Sequence, residues 1–285
     1  MSDPAGPVWI GDEPPQMPPL SSAGGLRLVL RGAAMVAVLL LGLGLLLALR
    51  LIERPLHGAA RPWTPAITTA VCRMCLALMG IRYRVQGRPM RHIGAVVANH
   101  SSWLDIFALN ACQQVYFVSK AEVARWPFIG WLAQATGTVF IRRDPREAKA
   151  QQALFEGRLR AGHHLLFFPE GTSTDGRRLL PFKTTLFQAF YTHGLDKVMQ
   201  IQPVSVVYHA PAGEDPRYYG WWRDMGFGPH LVKVLAAPRQ GAIEVVFHDP
   251  LDVAAFPSRK ELAAACERQV RAGLDQALAR AEPSR

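Results

Sequence analysis

Residues 32–49 form an uninterrupted run of eighteen uncharged residues, mostly leucine, alanine, valine and glycine. As a helix, this run is about 27 Å long, close to the hydrocarbon thickness of a bilayer. Two arginines precede it and three follow it: Arg27, Arg31, Arg50, Arg54 and Arg61. The run predicts a membrane-spanning helix whose C-terminal side, with the larger basic count, faces the cytoplasm. A buried helix of a globular protein is the alternative interpretation.

A second helical segment follows the apolar run. Thr64 is a plausible N-cap, because Pro65 suits the first position of a helix. Apolar residues then recur at spacings of three and four, and Arg73 lies within the same segment. The pattern predicts an interfacial helix that lies against the membrane. Residues 26–80 are therefore interpreted as a membrane-anchoring helical hairpin. Residues 1–25, with six prolines, four glycines and no basic residue, predict a disordered tail.

Composition supports membrane contact and anionic partners. Hydrophobic residues make up 49% of the 285 residues, charged residues only 19%, and the net charge is +10. Such a charge favours phospholipid headgroups or an acidic carrier protein. Nucleic acid is excluded as a partner, since no zinc-finger, RNP or basic-zipper pattern accompanies the charge. The four cysteines show no disulfide spacing and are interpreted as small buried hydrophobes in a reducing compartment.

From residue 81 to residue 285 the pattern changes to short β-rich runs that alternate with helices, which predicts an α/β domain. One helix is predicted to start at Asp144 and run to about Ala161, and another to start at Ser258 with Glu261. Seven strands are predicted: Arg82–Val85, Ala95–Ala98, Val115–Ser119, Thr138–Arg142, Leu165–Phe168, Gln202–Tyr208 and Ile243–His248.

Asn99 to Asp105 links the second predicted strand to a helix. His100 and Asp105 are five residues apart, so they can meet only across a strand–helix junction. Ser102 is a plausible N-cap, which would place Asp105 at the third helical position. A carboxylate that accepts the proton of one imidazole nitrogen leaves the other nitrogen free to act as a base. The junction predicts a general base, His100, oriented by Asp105.

Two further stretches carry polar residues at predicted strand ends. Arg142 ends one strand, and the turn Pro169–Thr172, containing Glu170 and Gly171, ends another. Ligand sites in open α/β sheets lie beyond the carboxyl ends of the strands. These residues and His100 are therefore expected to line one site.

Together these blocks resemble those of the glycerolipid acyltransferase family, in particular bacterial 1-acyl-sn-glycerol-3-phosphate acyltransferases. His100 to Asp105 matches the family's NHxxxxD block, and Phe168 to Thr172 matches FPEGT. Three more blocks are similar in order: Ser119–Glu122, Gly137–Arg142 and Gln202–Val204. One position departs, because Ser173 stands where the family usually has an arginine.

The resemblance implies a single mixed sheet of about seven strands flanked by helices, preceded by the membrane hairpin. It implies that His100 deprotonates the hydroxyl of a lysophospholipid acceptor as that hydroxyl attacks an acyl thioester. Lys120 and Arg142 would hold the headgroup phosphate, with Arg177 or Arg178 as substitutes for the missing arginine. Glu170, Gly171 and Thr172 would shape the acceptor site, although Glu170 could instead be a structural hydrogen-bond acceptor. No metal or organic cofactor is expected.

The acyl donor would be acyl-CoA or acyl carrier protein, which places the active site on the cytoplasmic face of the inner membrane. The expected acceptor is 1-acylglycerol-3-phosphate. Lyso-ornithine lipid is the alternative acceptor, because Ser173 and the aromatic insert Tyr218–Trp222 allow a different headgroup pocket. A catalytically silent membrane lipid-binding protein is a further alternative, against which the intact His100–Asp105 pair argues.

Overall fold

A computed structural model describes residues 9–142, 146, 148–191 and 195–281. Within that part of the chain there are seven α-helices and eight β-strands. The helices are α1 Ser22–His57, α2 Thr64–Met79, α3 Leu104–Cys112, α4 Ile129–Thr136, α5 Ala148–Arg160, α6 Phe227–Ala236 and α7 Arg259–Ala281. The strands are β1 Arg82–Gln86, β2 Gly94–Ala98, β3 Tyr116–Lys120, β4 Val139–Ile141, β5 Leu165–Phe167, β6 Gln200–His209, β7 Ala242–Phe247 and β8 Leu251–Asp252.

The strands form one mixed sheet in the order β1-β7-β6-β2-β5-β3-β4, with β8 paired to the start of β6. All pairs are parallel except those that join β6 to β7 and to β8. The mixed α/β sheet predicted from the sequence is confirmed. Because β6, β2, β5, β3 and β4 are mutually parallel, their carboxyl ends meet at a single edge of the sheet.

Helices cover both faces of this sheet, and strand alternation divides the core accordingly. Val96 and Ala98 of β2 pack into a cluster with residues of α2, α3 and α6. Ala95 and Val97 point the other way, into a cluster with residues of α5 and α7. Being buried on both faces, β2 is an uninterrupted run of small and β-branched apolar residues, as expected for a central parallel strand.

The long helix α1 packs against α2, α6 and α4. At its N-terminal end, Arg27 donates to the carbonyl of Ala236 at 2.8 Å, and Arg31 donates to Leu235 at 2.9 Å and to Ala237 at 2.7 Å. These bonds satisfy the free carbonyls at the end of α6. The opposite face of α1 is a row of exposed leucines and valines together with Ile52. In the described part of the chain, α1 is the one helix that is both long enough and apolar enough to cross a membrane.

The start of α2 differs from the predicted cap. Thr64 is already helical, and the side chain that caps the helix is the buried Glu53 of α1. Its carboxylate accepts the N–H groups of Trp63 at 2.7 Å and of Thr64 at 3.0 Å. A residue from the preceding helix thus ties the two members of the hairpin together. At α7 the predicted cap is present, since Ser258 and Glu261 bond each other. Asp144, predicted to cap α5, lies outside the described residues.

The N-terminal segment makes contacts that its composition did not predict. Residues 1–8 lie outside the described part, and α1 starts at Ser22. Between them, Asp12 forms an ion pair with Arg178 at 2.8 Å, and its carbonyl accepts the indole N–H of Trp222 at 3.0 Å. The segment therefore runs over the loops that follow β5 and β6.

Candidate active site

The junction between β2 and α3 brings His100 and Asp105 together. His100 lies two residues beyond the end of β2, and its Nδ1 is 2.7 Å from Oδ2 of Asp105. The imidazole stacks on the ring of Phe168 with 4.2 Å between centroids. Asp105 is completely buried, whereas 22% of the His100 side chain is exposed. With Nδ1 bonded to the carboxylate, Nε2 is the nitrogen that can take a proton.

The local geometry around Asp105 differs in detail from the expected capping box. α3 begins at Leu104, so Asp105 is its second residue, and the hydroxyl of Ser102 has no partner among the described residues. The carboxylate does accept the main-chain N–H of Ser102 at 3.1 Å, as a capping box requires, and it also accepts that of Ser101 at 2.9 Å. The start of the helix thereby stabilises the charged carboxylate.

Tyr208 also belongs to this cluster, although the sequence reasoning did not find it. Its hydroxyl donates to Oδ1 of Asp105 at 2.5 Å from the far end of β6. The two residues are 103 positions apart, so no local pattern connects them. The sequence did place Tyr208 at the carboxyl end of a predicted buried strand, the edge of the sheet where site residues are expected, and this was the one clue to its role.

Glu170 supports the site through the main chain. It is buried, and its two oxygens accept the N–H of His100 at 2.7 Å and of Leu180 at 2.8 Å. Burial raises the pKa of Glu170 to about 8, against the lowering effect of these two donors. Glu170 therefore accepts hydrogen bonds from the main chain, which is the structural role that the sequence analysis gave as an alternative.

The next two residues of the turn also make close contacts. Gly171 has a φ of 74°, and a Cβ there would lie 2.7 Å from Nζ of Lys183. Thr172 accepts the N–H of Trp9 at 3.4 Å.

Lys120 and Arg142 lie together at the same sheet edge as His100. Lys120 ends β3 and pairs in register with Ile141 of β4, which Arg142 follows directly. The strand order places β5, with Glu170 beyond it, between β2 and β3. The two basic residues therefore lie on the far side of the Glu170 turn from His100. Lys120 is half-buried and Arg142 is exposed.

Ser173 and Arg178 make specific contacts beside this edge. The hydroxyl of Ser173 donates to the carbonyl of Trp221 at 2.5 Å. The guanidinium of Arg178 pairs with Asp12 at 2.8 Å and with the buried Asp175 at 2.9 Å. It also lies over the ring of Trp9 at 5.1 Å. Arg177 is half-buried, and its main-chain N–H binds Asp175 at 3.0 Å.

An apolar pocket of about 470 Å³ opens at His100. This volume is within the range of small-molecule sites. The wall is built mainly from α1, α2, α3, α4 and α6. The hairpin contributes Leu39, Leu46 and Val71 to the wall, and the region after β6 contributes Trp221 and Phe227. The sequence predicted neither α4 nor α6, so it did not anticipate a pocket between them and the hairpin.

Trp103 forms part of the pocket wall next to His100 and is held by a buried histidine. Its indole N–H donates to Nδ1 of His230 at 2.9 Å. Burial, and to a lesser extent Lys233, lowers the pKa of His230 to about 3, so this histidine stays neutral and can accept the bond.

Among the described residues, no three His, Cys, Asp or Glu side chains form a group that could hold a metal ion.

Comparison with known proteins fits this geometry. A family model described as Acyltransferase matches residues 82–207. The lyso-ornithine lipid O-acyltransferase of Rhodobacter capsulatus is 74% identical over 270 residues, which cover 95% of this chain and 98% of that protein. The chain belongs to the acyltransferase family. The 1-acyl-sn-glycerol-3-phosphate acyltransferase of Neisseria gonorrhoeae is 34% identical over 211 residues, which cover 71% of this chain and 78% of that protein.

The fold of this acyltransferase also matches a solved structure. The crystal structure of the 1-acyl-sn-glycerophosphate acyltransferase PlsC from Thermotoga maritima superimposes with a TM-score of 0.63 at 19% identity. The match covers 92% of this chain and 100% of that one, so the two proteins share the fold. Family membership makes the protein an acyltransferase that acts on lysophospholipid-like acceptors.

Proposed function

We propose that this protein is a lyso-ornithine lipid O-acyltransferase. The observation that carries the proposal is the 74% identity to the Rhodobacter capsulatus enzyme of that name, which extends over 95% of this chain. A second relative with the same name, from Brucella abortus, is 38% identical over 90% of this chain. The proposal replaces 1-acylglycerol-3-phosphate, the acceptor first expected from the sequence, with the alternative acceptor.

The reaction uses His100 as general base and Asp105 as the residue that orients it. Nε2 of His100 removes the proton of the acceptor hydroxyl as that oxygen attacks the thioester carbonyl carbon. The carbon–sulfur bond then breaks, and the leaving thiolate takes the proton from His100. Asp105 holds the tautomer and stabilises the imidazolium. General base catalysis of this kind contributes about 10²- to 10⁴-fold.

The surroundings of Ser173 support an acceptor without phosphate. A hydroxyl has one proton to donate, and that of Ser173 goes to the carbonyl of Trp221. Arg178 already pairs with two aspartates, Asp12 and Asp175. An N-acylated ornithine presents a carboxylate and an ammonium group in place of a phosphate. Lys120 and Arg142 are proposed to bind the headgroup carboxylate, and Arg177 is retained as a further candidate.

The apolar pocket is proposed to hold an acyl chain with its reactive end at His100. It lies between α1 and the α/β domain, so a lipid could enter it from the membrane side. The donor is proposed to be acyl-CoA or acyl carrier protein. Both are cytosolic, and the net charge of +10 suits an acidic donor and an anionic membrane. The active site is therefore proposed to face the cytoplasm at the inner membrane.

Acylation of 1-acylglycerol-3-phosphate is the second candidate function. It is favoured by the Neisseria gonorrhoeae relative and by the presence of both Lys120 and Arg142 at the sheet edge. The chemistry at His100 would be unchanged, and only the headgroup contacts would differ.

The test offers purified protein in mixed micelles a radiolabelled acyl-carrier-protein or acyl-CoA donor, with lyso-ornithine lipid and lysophosphatidic acid in parallel. We expect kcat/KM to be higher for lyso-ornithine lipid. His100→Ala should remove the transfer, and Asp105→Asn should lower kcat by about two to four orders of magnitude. A preference for lysophosphatidic acid would establish the second candidate, and transfer that survives His100→Ala would refute the mechanism.

A further inference from the structure

We infer that Tyr208 is a positioning residue of the acyl transfer, which acts on His100 through Asp105. The inference rests on the proposed roles of His100 and Asp105. Asp105 Oδ2 accepts His100 and two main-chain N–H groups, those of Ser101 and Ser102. Within the part of the chain that the structure describes, the donor to Oδ1 is the hydroxyl of Tyr208 at 2.5 Å.

The register of the sheet explains why Tyr208 reaches this place. β2 and β6 are parallel, and Ala98, the last residue of β2, pairs with Val204. The chain then leaves β2 toward His100, while β6 continues to His209. Alternation puts Val204, Val206 and Tyr208 on the sheet face that carries α3. The phenol therefore lies beneath the first turn of α3, where Asp105 is.

Tyr208 can act on Asp105 only as a donor. Burial and the charge of Asp105 raise the pKa of the Tyr208 hydroxyl well above its ordinary value. The other titratable groups around the pair are Tyr219 after β6, Tyr83 on β1 and Glu170 after β5. The ring of Tyr208 packs against that of Tyr219, with 5.7 Å between the ring centroids. The hydroxyl of Tyr83 donates to the carbonyl of Ala108 at 2.6 Å.

A buried tyrosine hydroxyl needs an acceptor, so the bond could serve packing alone. The geometry goes further, because this acceptor is the carboxylate that orients the base. A donor to Oδ1 draws negative charge away from Oδ2 and fixes the plane of the carboxylate. Both effects act on His100: the first limits how strongly the carboxylate stabilises the imidazolium, and the second aims Nε2 at the pocket.

The test is Tyr208→Phe, which removes the hydroxyl and keeps the ring. Without the donor, Asp105 stabilises the imidazolium more strongly, so the base is neutral only at higher pH. The acid limb of the pH profile of kcat/KM should move up by about half a unit or more. We expect kcat to fall about 10- to 100-fold, as for other residues that orient an active group. KM for the acceptor should change by no more than about two-fold, because Tyr208 does not touch it.

Tyr83→Phe is the matched control, since it removes another tyrosine hydroxyl that binds the same helix without touching Asp105. It should leave the acid limb unchanged. Replacement of Tyr208 by 3-fluorotyrosine keeps the fold and makes the hydroxyl a stronger donor, so it should move the limb to lower pH. This variant decides the matter if Tyr208→Phe does not fold.

Three results would overturn the inference: a wild-type profile in Tyr208→Phe, a fall in kcat without a shift of the limb, or an equal shift in Tyr83→Phe. An unshifted limb in the fluorotyrosine protein would do the same. Failure of the proposed function is a separate result, seen as an inactive wild type or an active His100→Ala.

Discussion

Ser173 shows how one side chain can bear on the choice of acceptor. Its hydroxyl donates to the carbonyl of Trp221 at 2.5 Å, at the position where the sequence resemblance leads us to expect an arginine. An arginine would add a fixed charge that can bind phosphate through two parallel bonds. We predict that Ser173→Arg raises kcat/KM for lysophosphatidic acid relative to lyso-ornithine lipid by about 10-fold. Parallel assays with both acceptors measure this ratio.

Ser173→Ala is the control for this prediction, because it removes the bond to Trp221 without adding charge. It should lower both activities together. If Ser173→Arg and Ser173→Ala gave the same ratio of activities, the residue would have no part in choosing the headgroup.

His163 makes the fold sensitive to acid. It is buried, with its ring 4.3 Å from that of Tyr116. Burial, and then the charges of Arg158 and Arg61, lower the pKa of His163 to about 4. Since an unfolded histidine titrates near 6.5, the unfolded chain binds the proton first as pH falls. The stability that neutral His163 contributes is complete above about pH 6.5 and is lost as pH falls toward 4.

We predict that His163→Phe loses about 2 kcal/mol less stability than the wild type between pH 7 and pH 5. Chemical denaturation at the two pH values measures the difference. His92→Gln, at an exposed histidine, should follow the wild type. Equal acid sensitivity of His163→Phe and wild type would show that His163 does not titrate on unfolding in this range.

At the scale of elements, the sequence predicted the parts with strong local patterns. Seven strands were predicted within about two residues, because apolar β-branched runs bounded by turn residues mark them. β8 has only two residues and carries no such pattern. α4 starts after Phe128, whose φ is 64°, without a capping side chain, and α6 contains Pro229. Short helices without caps give little periodic signal, so both were missed.

The candidate site divides in the same way. His100 and Asp105 could be paired from the sequence because a strand–helix junction brings near neighbours together. Tyr208 and the pocket depend on tertiary packing between distant segments, which one sequence does not encode locally. The capping box expected at Ser102 is half present: the main-chain N–H of Ser102 binds the carboxylate of Asp105, but the hydroxyl of Ser102 binds none of the described residues.

The crossing of α1 and α2 depends on one glycine. A Cβ at Gly42 would lie 2.4 Å from Cγ2 of Val71, whereas a Cβ at Gly44 meets nothing within 4 Å. Val71 is β-branched and cannot turn away freely. We predict that Gly42→Ala separates the two helices, lowers Tm and reduces acyl transfer, because both helices line the pocket.

Gly44→Ala is the matched control, since it makes the same change two residues further along the same helix. It should leave activity unchanged and strengthen the helix by up to about 1 kcal/mol. Thermal unfolding in detergent and an acyl transfer assay compare the two variants. Equal behaviour would show that the helices do not need close contact at Gly42.

For the molecule as a whole, α1 has two tasks. It presents an exposed apolar face, and it closes one side of the pocket. Both ends also lie next to contacts with the α/β domain: Arg27 and Arg31 bind the end of α6, and Arg61, four residues beyond the other end of α1, donates to the carbonyl of Ala135 in α4. The sheet and its polar loops cannot enter the hydrocarbon layer. Residues 32–49 are long enough to span a bilayer. However, if the contacts at both ends of α1 persist, both ends must lie on the same side of the membrane as the α/β domain.

We therefore predict that both ends of α1 face the cytoplasm, with the helix lying along the membrane surface and its exposed face in lipid. Ser22→Cys and Ala59→Cys place thiols at the two exposed ends, against native cysteines that are buried or half-buried. A membrane-impermeant maleimide should label both variants in inside-out vesicles and neither in right-side-out vesicles, with the unsubstituted protein as the background. Labelling of the two ends from opposite sides would establish a spanning helix, and the contacts of Arg27 and Arg31 with α6 could not then persist in the membrane.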